Sequence, residues 1–140
     1  MAKESGMAWT TCSVDGADGN ADDIKNDVTS LTVAMPRAEA DVTGLDRSAH
    51  ERLLLLATLS VGLSGVFNDS ADKSHDTFLT VSTTSVARTV TLTVSGKTLD
   101  NPSLPEMLPS DYALSRGADG SFTWTVPLVL GSGVAVSWDL

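Results

Sequence analysis

A mainly β fold, built as a sandwich or half-barrel with long hairpins and one or two short helices, is predicted by three features of this 140-residue chain. Thr, Ser and Val are abundant, apolar runs are short and interrupted by Gly or Pro, and several segments alternate apolar with polar residues at period two. Hydrophobic residues make up 41% and charged residues 19%, which is enough apolar material for a packed core and argues against global disorder. A chain of this length reads as a single folded unit that buries roughly 70% of its unfolded surface.

Charge and cysteine content narrow the possible functions. Lys and Arg number 9 against 18 Asp and Glu, a formal charge of −9. Gripping nucleic-acid phosphates depends on Lys and Arg displacing counterions, so this balance is wrong for a nucleic-acid clamp. The lone cysteine, Cys12, excludes an internal disulfide framework and a cysteine-rich zinc site. No basic and apolar leader is visible, and the longest apolar run, Leu53 to Ala57, is too short to cross a bilayer. These features predict a protein made in the cytoplasm without a membrane anchor.

Residues 1–27 are rich in small and acidic side chains ("SVDGADGNADDIKND") and are predicted to form an acidic arm with little to bury, ordered by neighbouring subunits rather than by its own core. Residues 28–140 then form the β domain. Asp18, Asn20 and Asp22 fall at the first, third and fifth positions of a calcium loop, but Asp23 stands where Gly is needed and Thr29 where a bidentate Glu is needed. A solvated loop is predicted there. Leu31, Val33 and Met35 mark a strand, Pro36 a turn or bulge, and "EADVTG" a returning strand, together a long hairpin with a charged tip.

Asp46 or Ser48 could cap a short helix through Ala49 to Arg52, with Leu53 to Leu56 carrying the chain into the core. Leu59, Val61, Leu63 and Gly65 alternate with small polar residues as a half-buried strand. A second helix is predicted over His75 to Val81, with Phe78 and Leu79 on its apolar side. Val90, Leu92 and Val94 alternate with Thr, "NPSLPEMLPS" is a loop, and Tyr112–Leu114 and Phe122–Trp124–Val126 flank a Gly-rich hairpin turn. "VAVSWDL" supplies a last short strand.

No residue pattern suggests catalysis. His50 and His75 are the only histidines, too few for a convergent zinc site, and both read as solvated surface residues. Neither a Gly-x-Ser-x-Gly elbow nor a phosphate loop ending in Lys-Ser/Thr occurs. The acidic residues cluster where nothing apolar would raise a carboxyl pKa. The reading is a non-enzyme with no cofactor and no metal.

The order of these elements resembles the tail tube proteins (major tail proteins) of long-tailed bacteriophages. The resemblance rests on Asp41-Val42-Thr43 before a charged turn, the alternating strand from Leu59 to Gly65-Val66-Phe67, and "DYALSRGADGSFTWTVP" with its Asp-Gly turn. It covers roughly residues 28–138 and implies a structural virion protein. Such subunits self-assemble, typically as hexameric rings that stack into a tube with other tail proteins, and genomic DNA passes through the lumen without specific binding. It further implies a place in the virion tail after assembly in the host cytoplasm. Within that frame the alternation of the first hairpin turns Leu31, Val33 and Met35 toward the core, and makes Glu39 and Asp41 the candidate lumen-facing residues. The other reading is a virion decoration or adhesion β-sandwich binding carbohydrate or capsid. It needs an exposed aromatic platform drawn from Trp9, Trp124 and Trp138, and Trp124 alternates with Thr as a core residue would.

Overall fold

A computed structural model describes residues 3–139, so Met1 and Ala2 of the predicted arm and the terminal Leu140 lie outside it. The strands are β1 (Trp9–Asp15), β2 (Ala21–Asp23), β3 (Val28–Ala34), β4 (Arg37–Asp41), β5 (Arg52–Ala57), β6 (Ser60–Val66), β7 (Arg88–Val94), β8 (Lys97–Asn101), β9 (Glu106–Pro109), β10 (Ala113–Arg116), β11 (Phe122–Leu130) and β12 (Ser137–Trp138). One short helix, α1 (Ser74–Phe78), interrupts them. Ten strands form a single antiparallel sheet in the order β12-β8-β7-β9-β11-β6-β3, with β1 beside β7, β2 beside β1 and β10 beside β11. The fold is mainly β, as the composition and alternation predict.

This sheet folds over itself about β7, which pairs with β1 and β8 on one side of the molecule and passes to β9 through Arg88 and Thr89. Period-two alternation then directs one face of every strand inward. Val61 and Leu63 of β6, Val90 and Leu92 of β7, and Trp124, Val126 and Leu128 of β11 share one buried cluster with Cys12, Val14, Ile24 and Phe78. Trp124 sits at its centre. Its indole N–H donates to the Val66 carbonyl at 2.9 Å, and its ring meets Phe78 at 5.7 Å, so the large side chain is buried with its one donor satisfied. The helix predicted over His75–Val81 ends at Phe78, after which the Thr80 carbonyl takes the Thr83 and Thr84 amides in a turn and Leu79 stays half-exposed.

Four local expectations are corrected. The amino-terminal segment is part of the body, because β1 pairs with β7 (Cys12↔Leu92, Val14↔Val90) and Cys12, Val14 and Ile24 are buried. Its acids are not all solvated: Asp22 accepts the Thr77 hydroxyl at 2.8 Å, while Asp27 takes the Asn68 amide at 3.0 Å and the Ser74 N–H at 3.1 Å. Buried carboxylates persist because each has such partners.

The first hairpin is also paired differently. β3 pairs with β6 (Leu31↔Leu63, Val33↔Val61) and β4 pairs with β5 (Ala40↔Leu53, Asp41↔Arg52). Residues 28–66 therefore form one long hairpin, interrupted near Pro36 and Thr58, with its tip at residues 42–51. No helix follows Ser48; the Arg47 amide closes a turn on Gly44, and Leu53–Leu56 lie within strand β5. The proline-rich stretch is not all loop, since β9 lies between β7 and β11 with Pro105 just before it and Pro109 at its end, where a missing N–H is tolerated.

Gly65 marks the closest backbone approach. A Cβ at that position would overlap the Asp27 carbonyl, whereas one at Gly62 would meet only Thr32 Cβ, at 3.9 Å. Gly65→Ala is expected to destabilise the fold by at least about 3 kcal/mol in denaturant titrations, and Gly62→Ala by less than about 1 kcal/mol. Equal losses would show that Gly65 is not needed for this approach.

Candidate functional site

The long hairpin carries apolar side chains that the rest of the described chain leaves exposed. Beyond Pro36 and Thr58 it leaves the sheet as a separate two-stranded arm, β4 with β5. An isolated pair of strands is marginal in water. This one carries four consecutive leucines, exposed at 56% (Leu53), 51% (Leu54), 43% (Leu55) and 91% (Leu56). Successive strand residues point to opposite faces, so the run places leucines on both faces of the arm. At the tip Leu45 is fully exposed and Val42 half-exposed. Sequence reading placed these leucines in the core; the structure places them in solvent.

The edges are equally open. β3 ends the order of the main sheet, and β4 and β5 each have only one partner. Unpaired N–H and C=O groups along these edges are templates for another chain. The outward face of the adjoining sheet has its own character. Ser30, Thr32 and Ala34 on β3 oppose Ser64, Gly62 and Ser60 on β6, which in turn oppose Thr125, Pro127 and Val129 on β11. Cross-strand partners share a face. These strand positions present hydroxyls and small groups and carry no charge, and Asp111 borders them beside Thr125 and Pro127.

Glu39 and Asp41, the two residues singled out from the sequence, lie exposed on β4, and each has a basic side chain nearby on the arm. Glu39 Oε2 is 3.3 Å from Arg52 Nε, and Asp41 Oδ2 is 3.2 Å from His50 Nδ1. Asp41 also organises the tip: its Oδ1 accepts the Thr43 amide at 3.0 Å and the Thr43 hydroxyl at 2.5 Å. That hydroxyl oxygen accepts the Glu51 amide at 2.8 Å, and Arg47 Nε reaches Glu51 at 2.5 Å. The hydrogen bonds from Thr43 hold the Asp41 carboxyl below the usual carboxylate range.

Other titratable groups serve the body. The guanidinium of Arg88 is fully buried; Nη1 donates to the carbonyls of Asp15 at 3.1 Å and Thr77 at 2.5 Å, tying β1 and α1 to β7. His75 is half-buried rather than solvated, hydrogen-bonded to the Tyr112 hydroxyl at 2.9 Å and set against Phe67. Burial pushes the Tyr112 hydroxyl up. Of the calcium-loop residues, Asp18 is engaged with Asn20 and Asp22 with Thr77. The carboxylates of Asp22, Asp72 and Asp76 lie within 4.8 Å of one another, and Asp76 accepts the Asp72 amide at 3.0 Å. Among the described residues no helix is long and apolar enough to cross a membrane.

No family model and no curated protein matches the sequence. Solved structures match the fold along nearly its entire length. A chain from the virion of a native gene transfer agent particle is 14% identical, with a TM-score of 0.68 over 99% of this chain and 100% of that one. A chain from the tail of the empty gene transfer agent particle, solved with C6 symmetry, is 12% identical with the same TM-score and coverage. The chain has a tail-tube-type fold. A chain of the six-fold symmetrised anti-feeding prophage baseplate matches at a TM-score of 0.63 and 14% identity, over 99% of this chain and 97% of that one.

The aromatic residues required for a carbohydrate platform are otherwise engaged. Trp124 is buried, and Trp9 and Trp138 meet edge to face at 6.1 Å while packing against the core.

The tip network has a pH signature. Because the folded-state pKa of Asp41 is depressed, its contribution is present above the ordinary carboxylate pKa and is lost as pH falls through the lowered value. The Thr43 and Glu51 amides are therefore expected to stay protected at pH 4 and to open only below it, and Asp41→Ala should expose both at neutral pH. Amide NMR spectra across a pH series test this; loss of protection well above pH 4 would contradict it.

Proposed function

We propose that this chain is a structural tail protein that self-assembles into stacked rings, hexameric by analogy with the six-fold neighbours, forming a tube through which genomic DNA passes. The observation that carries the reading is the arm. Its leucines are exposed on both faces and its edges are unpaired, so it reaches a low free energy only between copies. Fully burying one leucine contributes about 1.5–3 kcal/mol. Several per subunit, repeated around a closed ring, can offset an association cost of about 4–15 kcal/mol. Edge-to-edge pairing of the long hairpins would also remove the open edges, and a ring is the closed arrangement that leaves none.

The channel wall follows from the same geometry. The face of β3, β6 and β11, made of small and hydroxyl side chains with the acidic Asp111 the only charged residue lining the hollow on it, suits a surface along which a polyanion must slide without adhering, and Glu39 and Asp41 are the acidic residues that would extend it along the arm. The net charge of −9 repels phosphates over about 8 Å at physiological salt. Assembly would then involve other tail proteins at the ends of the tube, with the chain located in the virion tail. The described residues suggest a scaffold and no reaction: Arg88, His75 and the buried carboxylates each hold neighbouring elements together.

Leu54→Asp and Leu56→Asp test the assembly reading. Both should leave the monomer's melting temperature within about 2 °C of wild type, since the leucines lie outside the core, while raising the concentration needed for rings or tubes at least tenfold (about 1.4 kcal/mol) in electron microscopy and light scattering. Wild-type protein that stays monomeric at high concentration, even when seeded with tail extract, would refute the ring reading. Glu39→Gln with Asp41→Asn removes charge but keeps hydrogen-bond acceptors. If these residues face the channel, DNA release from particles carrying the double variant should slow, most of all at low salt. Unchanged release across a salt series would place them away from the DNA path.

A further inference from the structure

Where the arm leaves the body, its two strands are out of step. Arg37 is opposite Ala57 and Glu39 is opposite Leu54, so the single residue Ala38 on β4 faces two residues, Leu55 and Leu56, on β5. This is a bulge, and a bulge bends the strand that carries it and leaves its extra backbone groups outside the ladder. Arg37 closes that gap with its side chain. Its Nε donates to the Leu55 carbonyl at 2.8 Å and its Nη2 to the Leu54 carbonyl at 3.3 Å. Directly behind it, Pro36 has no amide to offer, and its carbonyl accepts the Thr58 amide at 3.1 Å. Among the described residues Arg37 makes no ion pair, so its charge is not matched to a carboxylate. An exposed arginine engaged with two consecutive carbonyls at a bend acts through its planar fork.

We propose that Arg37 is a positioning residue for assembly: its guanidinium fixes the bulge at the root of the leucine arm, hence the angle between arm and body, hence the curvature at which neighbouring copies close a ring. The last step rests on the ring-forming reading above; the first two do not. The clasp lies within the arm, which joins the body at the two chain crossings near Pro36 and Thr58, with Ala135 lining the same hollow as Leu54–Ala57. A bend held by these contacts is sensitive to any one of them. Errors in angle accumulate around a ring, so a modest spread at each subunit changes the number of copies that fit.

Arg37→Lys keeps the charge and much of the length but cannot reach both carbonyls in one planar geometry, and Arg37→Ala removes the clasp altogether. Spin labels at Ser48→Cys on the tip and Ser115→Cys on the body report the arm angle in monomeric protein; Cys12 stays unlabelled because it is buried, with its thiol pushed up to about 12. Wild type should show one narrow distance distribution, and both Arg37 variants a distribution at least twice as wide at unchanged melting temperature. An unchanged width overturns the proposal whether or not the protein assembles. In assembled material, imaged by electron microscopy, the variants should give arcs and tubes of mixed diameter. Uniform wild-type diameters despite a widened angle would overturn the link to curvature. If the wild type forms no rings, the assembly reading falls with its curvature step, while the distance widths still decide the clasp.

Discussion

Four leucines in succession on a two-stranded arm set the terms for the rest of this structure. A strand sends neighbouring side chains to opposite faces, so no single core can cover Leu53 to Leu56 at once. Within one subunit the body covers neither face, and the edges of β4 and β5 are open as well. Such an arm is costly in isolation and favourable when flanked on both sides, which is the condition of a subunit inside a closed assembly.

The body supplies what the arm lacks. The sheet wraps about β7 so that Val90 and Leu92 pack in one cluster with Val61, Leu63 and Trp124, and the buried Arg88 ties β1 and α1 to that strand. The arm is continuous with β3 and β6, and β6 anchors it through the buried Val61 and Leu63. Packed side chains on β6 and exposed ones on β5 are two consequences of the same long hairpin. At its tip, the Thr43 amide donates to Asp41 and the Glu51 amide donates to the Thr43 hydroxyl oxygen, which organises the loop without help from the core.

Much of the body was legible in the sequence because its signal is local. Alternation alone identified β6 and β7, and the Gly-rich turn between Leu114 and Phe122 identified the late hairpin with Trp124 inside. The arm was not legible in the same way. A short unbroken leucine run fits a buried helix end as well as a strand, and leucine's helix propensity favours the former. Only the partner strand decides between them, and β4 pairs with β5 across a ten-residue tip. Likewise, the acids of the amino-terminal segment looked solvated because the groups that satisfy Asp22 and Asp27 lie more than forty residues further along the chain. The alternation of the first hairpin pointed to the acids Glu39 and Asp41 as candidate lumen residues but not to Arg52 and His50 beside them.

The central claim is that the arm finds its burial between copies and not within one. Hydrogen exchange followed by mass spectrometry, on monomeric and on assembled protein, tests it most directly. The account predicts that the strands of the arm, residues 37–41 and 52–57, exchange rapidly in the monomer and become protected by at least a hundredfold on assembly, while peptides from β6, β7 and β11 are protected in both states. An arm already protected in the monomer, or still unprotected in the assembled particle, would contradict it.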